Sequence, residues 1–280
     1  MNPEIRFVTV APSTLNEWVG LFEVESLPVL SKTVFEVEDW RLNEEQVDAH
    51  LLSEFISRDP LMMVKLFAHL ASMRPGREDS IPETVTGCLL MLGIPPFFNR
   101  FRSLQTVDDY LEQDPDAFDG FMAVLARARR AADFALAFAV HRMDQDAALI
   151  HTATLLHDLA EMLLWLKAPR LAQEIVHRQG GNPQLRSVDA QNSVLHISLA
   201  QLQQALMVKW RLPLGLTSLI QPATSALSAR ARNVELATRI ARHSTQGWSN
   251  AAIPDDLHDV ADFLQIGIEP ARHLLMEIDE

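Results

Sequence analysis

Residues 153–165 read ATLLHDLAEMLLW, an apolar run broken near its centre by the adjacent polar pair His157 and Asp158. A carboxylate taken out of water without a donor or counter-charge is costly, so the pair needs partners. The flanking apolar positions recur with helical rather than alternating period, which sets the stretch on a buried helix. Neighbours on a helix diverge by about 100°, so both side chains meet one metal ion only if it rests against the helix between them. Glu161, one turn on, and His151, two turns before Asp158, share that side. A hydrolytic metal site needs such further ligands and an open position for water. The alternative is a buried pair satisfied by other protein groups.

The same helical period governs the rest of the chain. Asn43, Glu45 and Gln46 look like a capped start, followed by Val47, Leu51 and Phe55 on one face. Pro60 suits a first helical position, and PLMMVKLFAHLASM runs on from it to Arg74-Pro75-Gly76. Pro82, Pro95, Pro115 and Pro169 head further helical segments, with Gly93 and Gly180-Gly181 as stops. The longest helices are expected over 115–141, 144–167 and 188–210. FVTV, residues 7–10, is the best strand candidate and it is short. The predicted fold class is all-α, with a subdivision where the acidic, turn-rich EQDPDAFDG passes Gln113–Asp116.

Composition narrows the function classes. The chain has 280 residues, 48% of them hydrophobic and 22% charged, which excludes wholesale disorder. Its formal net charge is −13 and its one basic cluster is RARR, Arg127–Arg130, a balance that disfavours nucleic acid and anionic membranes. The single cysteine, Cys88, leaves no internal disulfide or zinc-type pair, and its apolar surroundings make it a small hydrophobe rather than a nucleophile. No secretory leader and no uninterrupted apolar run of about 18 residues is evident, so no membrane span and a cytoplasmic location are expected. No Gly-rich phosphate loop is present.

LLHDLAE resembles the His-Asp motif of the HD superfamily of metal-dependent phosphohydrolases, and its surroundings are similar to one branch, the HDOD domain. LPVL at Leu27–Leu30, ISRDPLMMVKLF at Ile56–Phe67 and VTGCLLMLG at Val85–Gly93 match that branch's N-terminal pattern, its Ile-x-x-Asp-Pro-x-Leu and Leu-Gly elements included. KWRLP, Lys209–Pro213, is similar to its Trp-x-Leu-Pro. The likeness runs in order from Leu27 to the end. It implies a multi-helix HD-like bundle over 115–280 with an N-terminal helical subdomain, 27–114, packed against it. Residues 1–26 are then an extension, and the whole is one HDOD unit.

The resemblance also implies where metal ligands belong, and this chain departs from it. The superfamily's first His falls on the preceding long helix, where this chain has Arg127, Ala128, Arg129 and Arg130 and no histidine between His69 and His141. Leu199 stands eleven residues before Trp210, where the family often has a His, with His196 three places off. Ala223-Thr224 occupy the place of a further His pair, and no aspartate lies between Asp189 and Asp255 to serve as the distal ligand. The Gly-Tyr-Pro signature of the cyclic-dinucleotide phosphodiesterases is absent; the one tyrosine, Tyr110, precedes Leu111.

One imidazole and one carboxylate hold a divalent cation weakly. No catalytic residue, metal or cofactor is therefore expected, and His157 and Asp158 form a vestigial, degenerate site, with Glu161, His151 and His196 as the remaining candidate ligands. Arg127, Arg129 or Arg130, or Arg239 or Arg242 near the missing distal Asp, is expected to replace the metal's charge beside Asp158. The function implied is a non-catalytic bacterial signal-transduction output or scaffold module. Its partners would be receiver, diguanylate cyclase or phosphodiesterase proteins, or a second copy. Two alternatives stay open: a phosphohydrolase or phosphodiesterase with an atypical site around the pair, and a nucleotide-binding sensor that does not hydrolyse its ligand.

Overall fold

Side-chain caps fix where several of the helices begin. Thr14, Asp48, Asp59, Thr84, Thr106, Ser198 and Ser228 each accept an amide hydrogen bond from the first turn that follows. Pro60, Pro95, Pro169 and Pro254 occupy first-turn positions, where the missing N–H is not needed. The computed structural model describes residues 7–76, 80–182, 184–221 and 227–279. These residues are all-α, with a single isolated parallel bridge, Val29 to Thr106. FVTV forms no strand; Val8 instead donates its amide to the Lys167 carbonyl at 2.8 Å.

Three sequence expectations shift in detail. The capped start at Asn43 is a short 3-10 turn, Glu44–Gln46, and the helix proper runs Ala49–Ile56 from the Asp48 cap. The helix expected over 188–210 is two, Ser187–Leu195 and Leu199–Lys209, parted at His196, whose φ of 63° is left-handed and ends the first. The helix expected over 144–167 is also two, Ala147–Leu155 and Leu159–Lys167, with His157 and Asp158 in the turn that joins them. The helix Pro115–His141 has its expected span.

Contacts group the chain into two units, each discontinuous in sequence. The first comprises Met1–Ala123 and Leu159–Pro213, the second Val124–Asp158 and Leu214–Glu280. The division expected at Gln113–Asp116 falls inside the first unit, because the chain leaves that unit part-way along Pro115–His141 and re-enters it after Asp158. In the first unit Trp18, Phe67, Phe97 and Phe121 are fully buried, and the Trp165 indole lies against Gly120. In the second, Ala147–Leu155 packs on Leu214–Ile220 and Ala229–His243. Ile253–Leu264 then packs between Ala229–His243 and Ile268–Asp279. The stretch Ala147–Lys167 is long and apolar enough to cross a membrane, but 67% of its apolar window is buried in the fold.

Candidate functional site

The turn that carries the His-Asp pair is made by the threonines before it. Thr152 Oγ1 donates to the Ala148 carbonyl at 2.9 Å and Thr154 Oγ1 to the Ile150 carbonyl at 2.8 Å, back-bonding that bends and weakens a helix. Leu156 still bonds its amide to the Thr152 carbonyl, but the His157 amide tightens onto Thr154 at 3.2 Å, and the ladder stops. Freed from helical divergence, the two neighbouring side chains meet: His157 Nδ1 lies 2.9 Å from Asp158 Oδ1.

Asp158 is the centre of the arrangement and only 11% of its side chain is exposed. Arg127, from the helix Pro115–His141, donates Nε at 3.0 Å and Nη2 at 2.7 Å to Oδ2. Arg242, from Ala229–His243, donates Nη2 to Oδ1 at 3.3 Å. All four residues belong to the second unit. Burial by itself raises the Asp158 carboxyl. The His157 hydrogen bond and the Arg127 and Arg242 charges outweigh it and hold the group well below the usual carboxylate range. Asp158 is an anion at every physiological pH.

Two of the other candidate arginines pair with acids other than Asp158. Arg130 binds Asp279 and Ser244 and sits over the Phe134 and Trp248 rings. Arg239 pairs with Asp256 at 2.8 Å and with Asp259. Arg129 is on the Pro115–His141 helix and half-buried. His151 is half-buried on Ala147–Leu155, and Glu161 is in the first turn of Leu159–Lys167. His196 places Nδ1 3.3 Å from the Pro12 carbonyl. Leu199 is buried as the first residue of its helix, and Ala223-Thr224 lie outside the described residues.

The residues present do not fit a divalent metal. Among the described residues no group of three or more His, Cys, Asp or Glu side chains converges. Both Asp158 oxygens already accept from nitrogen donors, and a guanidinium stands where a cation bound to Oδ2 would have to approach.

A model of the HDOD domain matches residues 27–225. The chain belongs to the HDOD family. Among solved structures it is similar to the MmoQ response regulator of Methylococcus capsulatus strain Bath, at 19% identity and a TM-score of 0.66 over 89% of this chain and 98% of that one. A virulence factor from Campylobacter jejuni subsp. jejuni aligns at 18% identity and a TM-score of 0.61 over 90% of each chain. Likeness at this level establishes a shared fold. Curated proteins gave no match.

The HDOD signature segments prove to hold one another in place. Asp59 is fully buried, and its Oδ1 caps the following helix through the Leu61 and Met62 amides, both at 3.0 Å. Its Oδ2 takes the Leu30 amide at 2.8 Å, which ties the Asp-Pro segment to Leu27–Leu30. Gly93 ends Val85–Leu92 with a φ of 85°, a conformation that glycine alone adopts without strain. Trp210 of the Trp-x-Leu-Pro element is 5% exposed and fills the core of the first unit.

Proposed function

We propose that this chain is a non-catalytic HDOD signalling module in which Arg127 and Arg242 supply the positive charge that a metal supplies in catalytic HD proteins. The observation that carries the reading is the two-bond grip of Arg127 on Asp158 Oδ2, from the helix where the first metal-binding His would stand. Arg242 approaches from the segment that lacks the distal Asp. A guanidinium neutralises the carboxylate but offers no open coordination site and no acidified water, so the centre holds structure and does not activate a nucleophile. Function then rests on recognition, with signalling proteins of the receiver, diguanylate cyclase or phosphodiesterase kind, or a second copy, as partners in the bacterial cytoplasm. The similar Methylococcus protein is a response regulator, which supports this signalling role.

Metal content of tag-free protein prepared without chelators, measured by plasma mass spectrometry beside turnover of bis(p-nitrophenyl) phosphate with added Mn2+, tests the reading. Metal well below one equivalent and no turnover above the metal-only blank is the expected result. Near-stoichiometric iron, manganese or zinc, or turnover that disappears in Asp158→Ala, would overturn it.

A further inference from the structure

A cavity of about 250 Å³ opens in the first unit between the turn Val24–Ser26, the helix Pro60–Met73 and the loop that follows Ile94–Arg100. Three basic side chains line it, Lys65, His69 and Arg100, against one acid, Glu25. Lys65 is buried, and its ammonium donates to the carbonyls of Val24, Glu25 and Leu27 at 2.9, 2.8 and 2.7 Å. Its three protons are thus committed, and Lys65 gives the cavity charge but no donor. His69, one turn on, accepts the Arg100 Nε–H at Nδ1, 3.2 Å away, which leaves the proton of the neutral ring on Nε2.

Arg100 is therefore held by its stem and open at its tip. The His69 bond and the Phe101 ring, 5.7 Å from the guanidinium carbon, orient the fork. Among the described residues its two terminal nitrogens meet no acceptor. The Ser103 hydroxyl and the amides of Ser103, Leu104 and Gln105, on the same wall, have none either. Glu25 offsets Lys65, so the Arg100 charge is in surplus. A concave site with surplus positive charge and unpaired donors, on a chain of net charge −13, gathers anions.

We propose that this cavity binds a small phosphomonoester through its phosphate, clamped by Arg100. The fork takes two oxygens of any oxyanion. A phosphate has a third peripheral oxygen for the Ser103–Gln105 donors, whereas a carboxylate has only the two that face the fork. The cavity has room for a phosphate with a short organic tail.

Isothermal titration of the full chain at pH 7 with glycerol 3-phosphate, glycerol and acetate tests the proposal. The expected result is saturable one-to-one binding of glycerol 3-phosphate, no binding of glycerol, and acetate weaker by at least tenfold. Arg100→Gln removes the clamp and should weaken glycerol 3-phosphate about tenfold or more. Arg100→Lys, which keeps the charge and loses the fork, should fall between, and both variants should unfold at the wild-type temperature without ligand because Arg100 is exposed. No saturable heat, equal affinity in wild type and both variants, or acetate binding as tightly as glycerol 3-phosphate would overturn the assignment.

Discussion

At Asp158 a buried negative charge is stabilised entirely by nitrogen donors, and they are unequal. Arg127 is 16% exposed in its side chain and makes two bonds, whereas Arg242 is 48% exposed and makes one long one. Arg127→Ala should therefore cost about 3 kcal/mol in urea unfolding, much of it the penalty of a carboxylate left short of charge. Arg242→Ala should cost less than about 1 kcal/mol because solvent screens that pair. A double-mutant cycle of Asp158→Ala with Arg127→Ala should return strong coupling at pH 7, and additive costs would refute the pairing. The folded carboxyl titrates below its unfolded value of about 3.9, so the coupling is complete above that pH and is lost as pH falls through the folded value. Sequence makes much of this legible, since His157-Asp158 stands out in an apolar run and the missing histidines direct attention to the arginines at their places. Sequence does not say which of Arg127, Arg129 and Arg130 faces Asp158, because the rotation of a long helix against a turn 31 residues away is set by tertiary packing.

Helix existence is readable from period and caps, but helix continuity is not. The apolar period runs unbroken through 144–167, and the interruption comes from two threonine hydroxyls bonding back to carbonyls, a choice made only in the folded environment. The cavity beside Arg100 is similarly half-legible. Lys65 and His69 inside PLMMVKLFAHL are polar intrusions into an apolar run of the same kind as His157-Asp158, yet their third partner comes from another helix. Close packing between elements is invisible to pattern altogether. A Cβ at Gly120 would lie 2.5 Å from ring carbons of Trp165, which is buried and cannot easily withdraw. Gly120→Ala, despite improving helix propensity, should destabilise the protein by about 1–3 kcal/mol, seen as a lowered thermal midpoint; an unchanged or raised midpoint would mean that the indole relocates without strain.

Across the whole molecule the all-α class follows from composition and period, but the grouping into units does not, because each unit is assembled from segments distant in sequence. The match to the HDOD domain model ends at residue 225, whereas the second unit continues through Ala229–His243, Ile253–Leu264 and Ile268–Asp279. A chain cut after residue 225 would lose Arg242 and bare the buried Leu149 and Ile150, on the helix that Ala229–His243 covers. Limited proteolysis of that truncation should cut within 124–158 at protease levels the full chain resists, and equal resistance would make the last three helices an appendage. The grip of Arg127 on Asp158 has a further meaning for the cell. A bound ion must be acquired, can be exchanged for a wrong one and is withdrawn by starvation or chelation; a guanidinium is translated with the chain, arrives in fixed proportion to it and never has to be supplied again.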